Sequence, residues 1–182
     1  MFRHGAFARF ATGLPHQPDE PMPQPRTLSA LPGVGQTAPA LRYVKQDRSN
    51  HDLAALRGEV VVLVSLPSLD TSVCATETRT FNQKVAGLGA HVLVISMDLP
   101  FAMKRFCETE GITNVHTGSD FRYRDMATGW GAAIAEGPME GLHCRAVWVI
   151  DRQGVIRHFE LTPELGAEPD YEAVIAAARQ LL

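Results

Sequence analysis

Cys74 ends the string Pro67-Ser68-Leu69-Asp70-Thr71-Ser72-Val73-Cys74, directly after the apolar run Val60 to Leu66 and directly before a helix-like stretch, Ala75 to Leu88. A thiol at such a strand-to-helix turn meets unpaired backbone N–H groups and the positive end of the helix dipole. Both favour thiolate over thiol. The chemistry indicated is nucleophilic attack by sulfur. The plainer alternative is a buried cysteine acting as a small hydrophobe, and the flanking Pro67, Asp70 and Thr71 argue against it.

The chain has three cysteines, Cys74, Cys107 and Cys144, too few for a disulfide scaffold and too far apart for a Cys-x-x-Cys pair. A structural zinc site needs a fourth ligand and closely paired donors. His143 is the nearest candidate, and no such pairing is present. No metal is expected. In a reducing compartment such cysteines are either inert or chemically active, and their surroundings decide which.

With 182 residues, 45% of them apolar, the chain can bury one good core but not two. A net charge of -3 without a long Lys/Arg run argues against nucleic acid or an anionic membrane as partner. No stretch reaches the roughly 20 apolar residues of a membrane span, and the N-terminus lacks a secretory apolar segment. A soluble cytoplasmic protein is expected.

Residues 1–30 differ in composition, with Pro15, Pro18, Pro21, Pro23 and Pro25 and no acidic residue before Asp19. Such a segment cannot bury a core and reads as a flexible Pro-rich extension. A targeting presequence is the alternative, since Met1 to Leu14 is basic with Phe2, Phe7 and Phe10 interspersed. The ordered domain, residues 31–182, is expected to open with the turn residues Pro32-Gly33-Val34-Gly35 before Leu41 to Val44.

From there strand and helix signals alternate. Val60 to Leu66 and His91 to Met97 are nearly continuous apolar runs, suited to strands covered on both faces. Between them Cys74, Phe81, Val85 and Leu88 fall on one helical stripe, so Cys74 shares the buried side. A second helix follows Asp98-Leu99-Pro100, with Asp98 as cap, Pro100 in the first turn, Cys107 in the last turns and Gly111 as the stop. Arg145 to Ile150 and Val155 to Leu161 flank the turn Asp151-Arg152-Gln153-Gly154 and predict an antiparallel hairpin. A last helix runs from Asp170 through Leu181. The order predicts an α/β domain of thioredoxin-like type, a central mixed β-sheet flanked by helices.

Pro67-x-x-x-Thr71-x-x-Cys74 resembles the peroxidatic-cysteine motif of peroxiredoxins. Longer strings narrow the likeness: Pro67-Ser68-Leu69-Asp70-Thr71, Asp98-Leu99-Pro100-Phe101-Ala102 with Arg105-Phe106-Cys107, and Ala135-Glu136-Gly137-Pro138. With Arg145-Ala146-Val147 and Glu168-Pro169-Asp170-Tyr171-Glu172-Ala173, they resemble the thiol peroxidase subfamily of atypical two-cysteine peroxiredoxins over residues 35–182.

The chemistry this resemblance implies is consistent with the residues. A free thiol of pKa about 8.5 is about 3% thiolate at pH 7, so full ionisation gains no more than about thirtyfold, roughly 2 kcal/mol. The larger gain must come from groups that hold the peroxide and stabilise charge on the departing oxygen. The Thr71 hydroxyl and the Arg145 guanidinium suit those roles, and Pro67 would shape the loop and shield the thiolate from water. Each has a plainer reading: Thr71 as a helix N-cap, Arg145 as a strand-end charge reaching solvent. Strand alternation turns Cys144 away from Arg145, and Cys144 reads as structural.

The resemblance further implies that Cys107 attacks the Cys74 sulfenic acid to give an intramolecular disulfide. Two cysteines on different helices cannot reach the required Cα separation of about 5.5 Å without local unwinding. Cys107 could otherwise be a packing residue beside Phe106. The implied function is reduction of hydrogen peroxide and organic hydroperoxides, with recycling by a thioredoxin-type protein reductant, in a homodimer, without metal, haem or flavin. A non-enzymatic peroxide sensor or redox-relay module using the same cysteines is the alternative. A dithiol-disulfide oxidoreductase is disfavoured by the missing Cys-x-x-Cys. Departures from the family pattern are Met103 for a common glutamine, Gly118 for an apolar residue, Trp130 for a tyrosine, and Cys144 beside the arginine. Only a second half of the family's N-terminal hairpin is recognisable, around Arg26 to Ala30.

Overall fold

The computed structural model describes residues 24–85 and 87–182. The described residues form seven strands, and the apolar runs among them are buried along nearly their whole length. In chain order these are β1 (Arg42–Val44), β2 (Asn50–Asp52), β3 (Val61–Ser65), β4 (His91–Ser96), β5 (His116–Ser119), β6 (Ala146–Ile150) and β7 (Ile156–Leu161). The helices are α1 (Ser72–Lys84), α2 (Pro100–Glu110), α3 (Asp125–Thr128) and α4 (Tyr171–Arg179). One seven-stranded sheet runs β2-β1-β5-β4-β3-β6-β7. β3, β4 and β5 are parallel; β6 pairs antiparallel with β3 and with β7, the latter being the expected hairpin.

The sheet is covered on both faces, which is why its central strands show no polar alternation. Val62, Val64, Val94, Val147 and Val149 pack against Cys74 and Phe81 of α1, Met103 and Phe106 of α2, and Val174 of α4. Leu63, Leu93, Ile95, Ala146 and Trp148 point the other way, toward Met126, Trp130 and Ile134. This is the thioredoxin-like arrangement, a mixed sheet flanked by helices.

Several elements differ from expectation, and neither β2 nor α3 was anticipated. β5 was not anticipated because His-Thr-Gly-Ser carries no apolar run, yet its last three residues are buried. They tolerate burial because their polar groups are paired: Gln46 Nε2 donates to Thr117 Oγ1 at 2.9 Å, and the Ser119 hydroxyl donates to the Asp98 carbonyl. α1 begins three residues earlier than expected, at Ser72, which puts Cys74 inside its first turn. Asp98 does not cap α2; the N-cap is Leu99, with no side-chain cap bond, whereas Gly111 does end the helix in a left-handed conformation, φ 64°.

Of the expected extension over residues 1–30, residues 1–23 lie outside the described residues. Gln24 to Ala30 runs along the domain. Leu28 N donates to Ala133 O, Ala135 N donates to Arg26 O, and Thr27 bridges Ile134 antiparallel.

Candidate active site

The loop from β3 to α1 is strapped down from the β4–α2 junction. One carboxylate oxygen of Asp98 accepts from the Leu69 N–H at 2.7 Å and from Ser96 Oγ at 2.8 Å, and the other accepts from Ser68 Oγ at 2.7 Å. Arg105 of α2 adds an exposed ion pair to Asp70 at 3.5 Å. Pro67 is buried within this loop. Thr71 occupies the N-cap position of α1 but makes no side-chain cap bond; its hydroxyl donates to the Ser68 carbonyl at 3.0 Å, leaving its lone pairs unused. The simple capping role weighed for Thr71 is therefore not the one it plays.

Cys74 is fully buried, and its Sγ accepts a hydrogen bond from Arg145 Nη2 at 3.2 Å. Arg145 does not reach solvent: it is 2% exposed, and a guanidinium that deep must be paired. Its Nε donates to the Leu165 carbonyl at 2.9 Å and its Nη1 to Glu77. Burial opposes the Arg145 charge, but Glu77 and Cys74 outweigh it and the pKa is raised. The Arg145 carbonyl is fixed in turn by Gln24 Nε2 at 3.2 Å and Thr162 N at 3.2 Å.

Glu77 escaped the sequence reading, although its place one helical turn after Cys74 was the available signal. Burial pushes its carboxyl up to about 7, against the pull of Arg145, and its Oε1 has no hydrogen-bond partner. Thiol, guanidinium and carboxylate thus form a buried row that holds positive charge against sulfur.

Cys107 lies in the last turns of α2, 6% exposed, in the same apolar cluster as Cys74; Cys74, Cys107 and Cys144 are all free. Burial raises the Cys107 pKa, opposed by the Thr117 and Gln46 side chains. Cys144 belongs to the cluster on the opposite sheet face, as alternation required, and burial pushes its thiol up to about 12. His143, weighed as a metal ligand, instead places Nε2 3.1 Å from Asp120, both fully buried. Among the described residues no group of three metal-binding side chains assembles.

The family model described as Redoxin matches residues 33–175. A thiol peroxidase from Leptospira interrogans is 50% identical over 155 residues, covering 84% of this chain and 91% of that one. The chain belongs to the thiol peroxidases, atypical two-cysteine peroxiredoxins. A thiol peroxidase from Mycobacterium tuberculosis is 46% identical over 151 residues, covering 83% and 91%. The crystal structure of a peroxiredoxin-like protein from Aquifex aeolicus superposes with TM-score 0.83 at 42% identity, covering 87% of this chain and 92% of that one.

As a thiol peroxidase the chain is an enzyme, which decides against the sensor alternative. Its departures from the family pattern are accommodated by packing. A Cβ on Gly118 would lie 2.6 Å from both the Tyr43 ring and Ile95 Cδ1, so a larger neighbour fills the missing volume. Trp130 stacks edge-on against Trp148 at 5.1 Å, and Met103 is fully buried beneath α2.

Proposed function

We propose that Cys74 is the peroxide-reacting nucleophile and Cys107 the resolving thiol of this peroxidase, acting on hydrogen peroxide and organic hydroperoxides. The Cys74 thiolate attacks one peroxide oxygen. The O–O bond breaks, sulfur is oxidised to a sulfenic acid, and the second oxygen leaves with a proton as water or alcohol. Arg145 and Thr71 hold the peroxide and the developing negative charge, while Pro67 shapes the loop and excludes water. Cys107 sulfur then displaces the sulfenic oxygen, which departs as water, leaving a Cys74–Cys107 disulfide. A thioredoxin-type dithiol reduces it, with no metal, haem or flavin.

The observation that carries this reading is the 3.2 Å hydrogen bond from a buried, ion-paired Arg145 to Cys74 Sγ. In a thioredoxin-coupled assay Cys74→Ser should consume no peroxide while Cys144→Ser keeps most activity; turnover by Cys74→Ser overturns the assignment. The peroxidase domain is assigned to residues 31–182, with residues 1–30 an extension whose last residues pack on it. The family resemblance supports a homodimer; a cytoplasmic location is part of the same proposal. Sedimentation at the mass of one chain would refute the dimer. Among the described residues no helix is long and apolar enough to cross a membrane.

A further inference from the structure

Strand pairing gathers four rings on the sheet face that looks away from Cys74. His51 of β2 lies opposite Tyr43 of β1, and His116 of β5 lies opposite Leu93 of β4, two residues after His91. Tyr43 and Leu93 belong to the core cluster across the sheet from Cys74, so alternation turns His51, His91 and His116 to that face. There the His91 and His116 rings stack with 4.2 Å between centroids and 9° between planes, and the His51 ring lies 5.9 Å from that of Tyr43. With Lys45 and Thr117 these rings line a cavity of about 90 Å³. Lys45, His116 and Thr117 also border a second cavity of about 260 Å³, so the two adjoin.

The smaller cavity is rich in donors and poor in acceptors. Among the described residues Lys45, His51 and His116 enter no ion pair. His91 Nδ1 faces Glu59 at 3.4 Å, but its Nε2 is buried without a hydrogen-bond partner, which calls for a bound group to complete it. The other acids nearby are committed elsewhere: Asp47 accepts from the Ser49 N–H at 2.9 Å and Asp52 from the Ala54 N–H at 2.8 Å. Tyr43, pushed up to about 12 by burial and by Asp52, keeps its proton to donate. Burial first, then His116 and Lys45, lower the pKa of His91; burial and Lys45 do the same to His116. An anion among these groups reverses that shift. A cation is the wrong guest, since Lys45 repels it and among the described residues no three metal-binding side chains assemble.

We propose that this cavity is a binding site for a phosphate group, seated between the Lys45 ammonium and the imidazoles of His51, His91 and His116. The donors come from four strands or strand ends and so approach from several directions, which suits an anion with three or four strong acceptor oxygens. The cavity has room for several waters, and hence for one tetrahedral oxyanion. The chemistry is the same for inorganic phosphate and for the phosphate of a small phosphomonoester, whose organic remainder the adjoining larger cavity would take.

The test is isothermal titration calorimetry of the full chain at constant ionic strength with two probes, inorganic phosphate and phenyl phosphate, joined to an NMR titration of the histidine rings. Saturable binding is expected. Binding of inorganic phosphate alone assigns the site to the free ion, and tighter binding of phenyl phosphate assigns it to an ester. Lys45→Met and His116→Phe, the second keeping a ring to stack on His91, should each weaken binding about tenfold or more, as loss of a charge-assisted hydrogen bond does. Peroxidase turnover of both variants should stay parental, because the cavity faces away from Cys74. The titration midpoints of His91 and His116 should rise when phosphate is added. No saturable binding of either probe, affinity unchanged in both variants, or midpoints that do not move overturns the proposal. Zinc binding that His116→Phe abolishes and phosphate does not displace would give the imidazoles to a cation and overturn it as well.

Discussion

Glu77 is the least soluble-looking choice in the site: a carboxylate with no exposed surface whose only partner among the described residues is Arg145. Removing one member of such a pair strands the other in a medium that cannot solvate it, at about 3–5 kcal/mol. Arg145→Met should therefore lower stability by that order, measurable by denaturant unfolding. It should also slow Cys74 oxidation by on the order of 10²- to 10³-fold, because donors aimed at developing charge are lost. Parental oxidation kinetics in the variant would remove Arg145 from the chemistry.

Glu77 also sets a pH dependence. Its carboxyl rises from 4.5 in the unfolded chain to about 7 in the fold, so the native state holds the proton more tightly. The stability associated with this group is fully present below about 4.5 and is lost as pH rises through about 7. Glu77→Gln does not titrate. Its melting temperature should gain on that of the parent between pH 4.5 and 8, and a pH-independent difference between the two proteins would contradict the assignment. Cys144, pushed up to about 12 and fully buried, should resist alkylation at pH 7 in the native protein.

At the scale of elements, the β3–α1 loop that leads into Cys74 depends on Asp98. Its carboxylate accepts from the loop at Ser68 and Leu69 and from Ser96 at the end of β4. Asp98→Ala leaves those donors without a partner, which should cost about 1–3 kcal/mol and slow Cys74 oxidation while far-UV circular dichroism stays unchanged. Full activity would show that the loop holds its shape without the strap. The sequence pointed to Asp98 but for a different duty, since its position before a helix matches a cap. What local pattern cannot show is that β4 and the β3–α1 loop approach each other.

The same limit explains which elements were legible. β3, β4 and β6 announce themselves by apolar runs, β7 by the turn that pairs it with β6, and α1 and α4 by their stripes. β5 and β2 are short and polar, and exist because neighbouring strands complete their hydrogen bonds. Gly118 illustrates the point: the sequence shows only a missing apolar side chain, whereas the fold makes it the gap into which the Tyr43 ring fits. Gly118→Val should destabilise by about 1–3 kcal/mol through overpacking. Thermal unfolding measures it.

For the whole molecule, Cys74, Thr71, Pro67, Arg145 and Cys107 could all be singled out from ordered motifs, because each belongs to a short contiguous string whose residue order is itself the signal. Glu77 could not, since its relevance comes from a contact between elements distant in the chain. Cys74 and Cys107 share a core cluster but are anchored separately, one in the first turn of α1 and one in the last turns of α2. Joining them must unwind helix around both, so amide exchange should quicken at residues 72–80 and 103–109 of the oxidised protein relative to the reduced one. The most direct measurement is peptide mapping, without reduction, of protein treated with one equivalent of hydrogen peroxide. The account requires a Cys74–Cys107 linkage within a single chain and Cys144 as a free thiol; a linkage from Cys74 to Cys144, or between two chains, would contradict it.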